Sequence, residues 1–414
     1  MRERFQEFYP PDADEFDQLW SCGCVILDTN VLLNMYAYPK QSRELWLQVM
    51  ELLRSRGQLW MPHQVGLEYQ RNRAAVMMAQ KEVYDKLSSG LAEISKIAET
   101  MDSYSPHPVI DINKYTGEVR DVVDRQKRRI DEARKKHSVR IADDPIRDVL
   151  DKVYGGIVGP PLDDTELSEL YQTGERRYAA FIPPGFGDAR KAEDAATAGC
   201  DFGVKREYGD LVLWEQVKRF ASSAQCPIMI VTDDKKKGDW CWLSRTKANL
   251  GTHPLLKREL QSAAGQFLFV SAPDDFLEQA SERLGIRGAE KAIAEVQLVD
   301  RQVVRRRELE RDRIERLISV EQALNGAMQR CDELEQILAV ERARSGQLAV
   351  RATRMSIDDD RSAVAAHREL MESRERIAAT AEALDQAQRE RSSMQKMYKR
   401  LAHSKPGLDD EVQQ

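Results

Sequence analysis

The sequence predicts an α/β fold, with a central parallel sheet flanked by helices and a helical C-terminal region. Two apolar runs end in acids: Val25-Ile26-Leu27-Asp28 near the N-terminus, and Ile228-Met229-Ile230-Val231-Thr232-Asp233-Asp234 far along the chain. Short apolar runs bounded by polar turn-formers read as buried strands. Between them apolar residues recur at helical spacing. Beyond about Ala289 aromatics nearly vanish, and Glu, Arg, Gln and Ala dominate.

The 414 residues suffice for one large domain with an appendage, or for two domains. Charged residues make up 32% and mean hydropathy is -0.58, the profile of a soluble chain. No apolar run approaches the ~20 residues needed to cross a bilayer. Met1 to Trp20 lacks the apolar centre of a secretory signal. Cys22, Cys24, Cys200, Cys226, Cys241 and Cys331 form neither a disulfide framework nor a paired-CxxC zinc pattern. A reducing cytoplasm is the expected compartment. The net charge of -6 does not advertise a nucleic-acid binder, although local basic clusters bind phosphate regardless of the sum.

In chain order, residues 1–20 read as an arm packed on the domain, and a strand covers 24–28. Leu32, Leu33, Tyr36, Leu45, Trp46, Val49, Leu52 and Leu53 follow at helical spacing, closed by Gly57. Leu59-Trp60-Met61 reads as a second strand ending at Pro62. From His63 a long helical stretch runs to Met101, with Glu68 expected in or near its first turn, where the helix dipole favours an anion. Past Pro106 and Pro108 a charged helix covers about Gly117 to His137. The pair suggests an antiparallel helical arm inserted into the core, the whole insertion spanning about 68–182.

Turn signals and short helices fill 141–187. The core resumes at Gly185-Phe186-Gly187-Asp188, and Asp210 opens a helix whose residues Leu211, Trp214 and Val217 face inward. A strand is expected at Phe267–Val270 and a last core helix from Phe276 to Gly285. The expected domains are therefore 1–288 and a 289–414 tail. In the tail Val296, Val303, Leu317, Leu324, Cys331 and Leu338 share one heptad position, and Val299, Val320, Ala327, Leu334 and Leu348 another. That is coiled-coil grammar, interrupted by Arg306, Glu310 and Arg313. A helix hairpin folded on the body is the competing account.

Asp28 and Asp234 end strands, while Glu68 and Asp210 begin helices. In a parallel α/β sheet those ends lie on one edge, so four carboxylates separated in sequence can share a pocket. Like charges in one site repel, and a bound cation relieves the repulsion. Oxygen donors without His or Cys suit Mg²⁺ or Mn²⁺. Two such ions activate water and stabilise the leaving oxygen in phosphodiester hydrolysis. The alternative for Asp28 is a plain helix cap. His63 reads as structural, and Trp214 and Trp240 as packing.

Val25-Ile26-Leu27-Asp28-Thr29-Asn30 closely resembles the opening motif of PIN-domain nucleases. Glu68, Asp210 and Thr232-Asp233-Asp234 look like that family's later acidic positions. Pro184-Gly185-Phe186-Gly187-Asp188 with Lys191, Tyr208-Gly209-Asp210 with Trp214, and Val231-Thr232-Asp233-Asp234-x-Lys236 with Trp240 resemble a bacterial PIN-like subgroup with a long helical insertion. The resemblance spans roughly residues 20–285. It implies a three-layer PIN-like fold and a metal-dependent endonuclease acting on RNA or DNA with Mg²⁺ or Mn²⁺.

The resemblance carries Asp28, Glu68, Asp210 and Asp234 over as catalytic acids and metal ligands, with Asp233 an alternative last ligand. Thr29, Asn30 and Thr232 would orient carboxylates or water, and Asp188 is a further acid near the site. Arg190, Lys191 and Lys236 would contact phosphates. The competing function is a silent PIN scaffold that binds nucleic acid or protein through its arm and tail. The tail implies self-association or a protein partner. Metal–carboxylate chemistry is indifferent to the 2′-hydroxyl unless a side chain reads it, so RNA and DNA both stay open.

Overall fold

The computed structural model describes residues 1–104, 107–136, 143–188, 202–233, 239–246, 248–355 and 360–403. The chain divides into two compact units, Met1–Arg301 and Gln302–Gln414.

In the first unit, helix α1 (Ala13–Cys22) leads into strand β1 (Cys24–Leu27) and helices α2 (Thr29–Asn34) and α3 (Lys40–Ser55). Long helices α4 (His63–Asp102) and α5 (Ile112–Lys136) come next, then α6 (Pro145–Tyr154), α7 (Asp164–Ala179) and α8 (Gly209–Ala224). Strands β2 (Ile228–Val231), β3 (Cys241–Leu243) and β4 (Asn249–Thr252), helix α9 (Pro254–Ala264), strand β5 (Leu268–Ser271) and helix α10 (Pro273–Leu284) complete the core. Helix α11 spans Glu290–Met355 and α12 spans Asp360–His403.

Among the described residues the main sheet has the order β1-β2-β5, all parallel, with Leu27 opposite Val231 and Val231 opposite Ser271. Every residue of β1 and β2 is buried, as expected for a parallel sheet covered on both faces. Helix α3 presents Leu45, Trp46, Val49, Met50 and Leu53 to one layer; α8 presents Leu213, Trp214, Val217 and Ala221. Trp20 and Trp46 each stack on Phe276, with ring centroids 5.9 and 5.7 Å apart. Trp214 and Trp240 are buried edge-to-face, so both are packing residues.

Several boundaries differ from expectation. Leu59 and Met61 form only isolated parallel bridges, to Val25 and Val158, because Pro62 and the start of α4 leave no room for a longer strand. Helix α4 keeps its expected bounds to within one residue, and Glu68 stands in its second turn, next to the first. The sequence reading missed the antiparallel β3–β4 pair. Its strand β4 is largely exposed, leaving little apolar signal.

Helices α4 and α5 lie side by side. Asp102 pairs with Arg120, Lys127 approaches Ser95 at 3.5 Å, and Arg134 reaches Asp85 at 2.7 Å, an order that runs opposite ways along the two helices. The base of α4 is anchored by a buried network. Asp144 accepts from Tyr36 (2.6 Å) and pairs with Arg73 (3.0 Å), and Tyr36 shares a 2.8 Å hydrogen bond with Tyr69. Burial pushes the Tyr69 hydroxyl up to about 12, so it stays protonated.

In the second unit, α11 and α12 pair antiparallel. Arg313 donates to the Leu401 carbonyl, Arg330 meets Glu390 and Arg376 meets Glu341. The buried residues include Val320, Ala327, Cys331 and Leu338, which are the seven-residue positions seen in the sequence. No helix among the described residues is long and apolar enough to cross a membrane.

Candidate active site

At the carboxyl edge of the sheet, Asp28 and Glu68 are linked through Thr29. Asp28 follows β1 and caps α2: its Oδ1 accepts the Thr29 N–H at 2.7 Å, and its Oδ2 accepts the Thr232 hydroxyl at 2.7 Å. Asp28 thus has the helix-cap role. Both oxygens are fixed by donors, which limits rotation of the carboxylate.

Thr29 turns its hydroxyl the other way, onto Glu68 Oε2 at 3.1 Å. The second Glu68 oxygen accepts from Gln64 Nε2 at 2.8 Å, one helical turn earlier. The Gln64 backbone N–H in turn donates to Gln216 Oε1 at 3.0 Å, which ties the start of α4 to α8. Helix α8 opens with Gly209 because space is lacking. A Cβ at that position would lie 2.6 Å from Glu68 Oε1. The next residue is Asp210, half-buried in the first turn of α8.

Asp210 meets a second glycine. A Cβ on Gly185 would stand 3.1 Å from the Asp210 Cβ and 2.4 Å from the Tyr178 hydroxyl. Gly185 has φ +91, a conformation that favours glycine, and its N–H donates to buried Asp239 at 3.1 Å. Thr232, Asp28, Thr29, Glu68, Gly209 and Asp210 thus form one continuous chain of neighbours drawn from four separate segments.

Asp233 takes a different direction. It is buried, and its Oδ2 accepts from Asn34 Nδ2 at 3.1 Å. The same Asn34 nitrogen donates to Asp300 Oδ1 at 3.2 Å, which also accepts from the Tyr38 hydroxyl at 2.7 Å. Burial above all pushes the Asp300 carboxyl up to about 6. Repulsion from Asp233 and Asp274 adds to this, and the Tyr38 and Asn34 hydrogen bonds oppose it.

A raised carboxyl pKa means that the fold holds the proton more tightly than the unfolded chain does. Stability from this group is therefore present below about pH 4 and is lost as pH rises through about 6. Asp300→Asn removes that penalty. Thermal unfolding from pH 4 to 8 is expected to show the variant more stable than wild type above pH 6, by at most about 3 kcal/mol, with the gap closing toward pH 4. Parallel curves would contradict it.

Asn30 is half-buried in the first turn of α2. Asp188 closes a 3-10 turn, Phe186–Asp188. Asp234, Arg190, Lys191 and Lys236 lie outside the described residues. His63 is half-buried, and burial lowers its pKa, so it is neutral at neutral pH. The sequence reading missed Gln64, Asn34, Asp239 and Asp300. In the sequence each looks like an ordinary surface polar residue.

A family model described as "PIN like domain" matches residues 24–256, more than half of the chain and all of β1 through the start of α9. The protein belongs to the PIN-like domain family. No curated protein and no solved structure matches it.

Proposed function

We propose that the protein is a metal-dependent endonuclease that hydrolyses phosphodiester bonds in nucleic acid, RNA before DNA, at the carboxyl edge of its sheet. The observation carrying this is the run of contacts that joins Asp28, Thr29, Glu68, Gly209 and Asp210. Membership of the PIN-like family supports the same chemistry.

The donors fit a hard divalent ion. Asp28, Glu68 and Asp210 offer oxygen alone, the set suited to Mg²⁺ or Mn²⁺. Among the described residues no three His, Cys, Asp or Glu side chains stand close enough to hold an ion by themselves. The proposed centre therefore draws on Asp234 as well, with Asp233 beside it. When bound, the ion supplies Lewis-acid polarisation of the phosphate and a more acidic water.

The chain's own groups orient and hold charge. Thr232 and the Thr29 N–H fix the Asp28 carboxylate, and the Thr29 hydroxyl and Gln64 fix Glu68. Asn30 and Asp188 are assigned as further polar groups of the proposed site. Arg190, Lys191 and Lys236 contact the substrate's phosphates, a salt-sensitive contribution. The paired helices of the second unit act as a coiled coil for self-association or a protein partner.

The test is cleavage of single-stranded RNA, single-stranded DNA and duplex by the full chain, stripped of metal and then supplied with Mg²⁺ or Mn²⁺. Turnover that returns only with the ion supports the reading. Binding without turnover on every substrate overturns it in favour of a scaffold.

Gly209→Ala probes the geometry. The backbone there is right-handed helical, φ -52 and ψ -51, so alanine suits it. Its Cβ would force the Glu68 carboxylate aside. Cleavage is expected to fall about 10²-fold, the scale of an ångström's misplacement, with the melting temperature nearly unchanged. Full activity in Gly209→Ala would remove Glu68 from the site.

A further inference from the structure

We propose that Asp300, which lies beyond the family-matched span, is a positioning residue for the Thr232-Asp233 corner of the active site and acts through Asn34. Its catalytic consequence rests on the nuclease reading above; the hydrogen-bonded network does not.

An asparagine amide nitrogen carries two N–H donors. Asn34 places one on Asp233 and one on Asp300, at 3.1 and 3.2 Å, so a neutral group bridges two acids that repel each other. Asn34 is itself buried, and Tyr38 fixes Asp300 from the far side. The three partners come from the end of α2, the turn after β2, and the early turns of α11.

This places α2 between two anchors. Its first residue is held by Asp28, the proposed central ligand, and its last residue, Asn34, is held by Asp233 and Asp300. Asp233 directly follows Thr232, whose hydroxyl sets Asp28. A shift at Asn34 is therefore felt at both strand ends. The opening turns of α11 are firmly seated. Ala292 and Val296 are buried in the main core, and Ser42 donates to Glu295 at 2.8 Å and to the Ala292 carbonyl at 3.2 Å. Asp300 thus transmits the seating of α11 to the acidic edge, a role that the family motif does not encode.

The variants are Asp300→Ala, which removes the acceptor; Asp300→Asn, which keeps an acceptor toward Asn34 and Tyr38; and Tyr38→Phe, which removes only the hydroxyl. Each is made in the full chain. Amide hydrogen exchange of the segment carrying Thr232 and Asp233 is read alongside Mn²⁺ binding by calorimetry, thermal unfolding and cleavage. Asp300→Ala is expected to speed exchange in that segment and weaken Mn²⁺ binding about 10–100-fold, the range for groups that orient ligands. The loss in cleavage then falls on kcat more than on KM. Asp300→Asn is expected to recover most of both, and Tyr38→Phe to fall between.

Unchanged exchange in a folded Asp300→Ala overturns the proposal, and so does an Asp300→Asn as impaired as the alanine. If Asp300→Ala does not fold, Tyr38→Phe decides by the same exchange readout. Should Asp28→Asn cleave as well as wild type, the nuclease reading fails, while the exchange results still judge the network.

Discussion

Asp28→Asn is expected to lower phosphodiester cleavage by about 10²–10⁴-fold while leaving the fold intact. Asparagine keeps an oxygen for the Thr29 N–H and is a good helix cap, so α2 should start in the same place. The charge is lost, together with the second acceptor that receives the Thr232 hydroxyl. Removing one carboxylate from a divalent-metal centre forfeits several kcal/mol of transition-state stabilisation, and each 1.36 kcal/mol is tenfold in rate. Single-turnover cleavage of single-stranded RNA with saturating Mn²⁺, beside a melting curve, reads both effects. A variant that cleaves at the wild-type rate removes Asp28 from the chemistry.

Arg73→Leu is expected to give the largest loss of stability. Asp144 has no solvent exposure, and the Arg73 side chain, 15% exposed, lies 3.0 Å from it. Deleting the cation leaves a buried carboxylate supported by the Tyr36 hydroxyl and the Arg147 N–H. Breaking a buried pair from one side costs about 3–5 kcal/mol, and the partial exposure of Arg73 favours the lower end. For a unit of this size that lowers the melting temperature by on the order of 5–10 °C. Adding Asp144→Asn should recover part of the loss, because the uncompensated charge is then gone. A melting temperature unchanged by Arg73→Leu would show the pair to be energetically idle.

The apolar runs at Val25–Leu27 and Ile228–Val231 sufficed to place the two central strands, because strands buried on both faces must be apolar throughout. The helix faces of α3 and α8 were equally legible from spacing. The β3–β4 pair was not, since an exposed strand carries weak apolar signal, and the strand expected at Leu59–Met61 is reduced to two isolated bridges. Among the proposed site residues, Asp28 and Asp210 stood out by their place at a strand end and a helix start, and Glu68 by its place in the family resemblance. Gln64, Asn34, Asp239 and Asp300 did not, because a polar side chain's partner is set by which segments fold together.

The sequence by itself determined the α/β class and the family, since each follows from local pattern: apolar runs, helical spacing and a short motif. Only the tertiary structure decided which carboxylate faces which donor. It turned Asp28 toward Thr232 and Glu68 toward Thr29, and it sent Asp233 to Asn34 and, through that amide, to Asp300. Hydrogen bonds are directional and reach about 3 Å, so residues 266 positions apart become partners only when packing brings their backbones together.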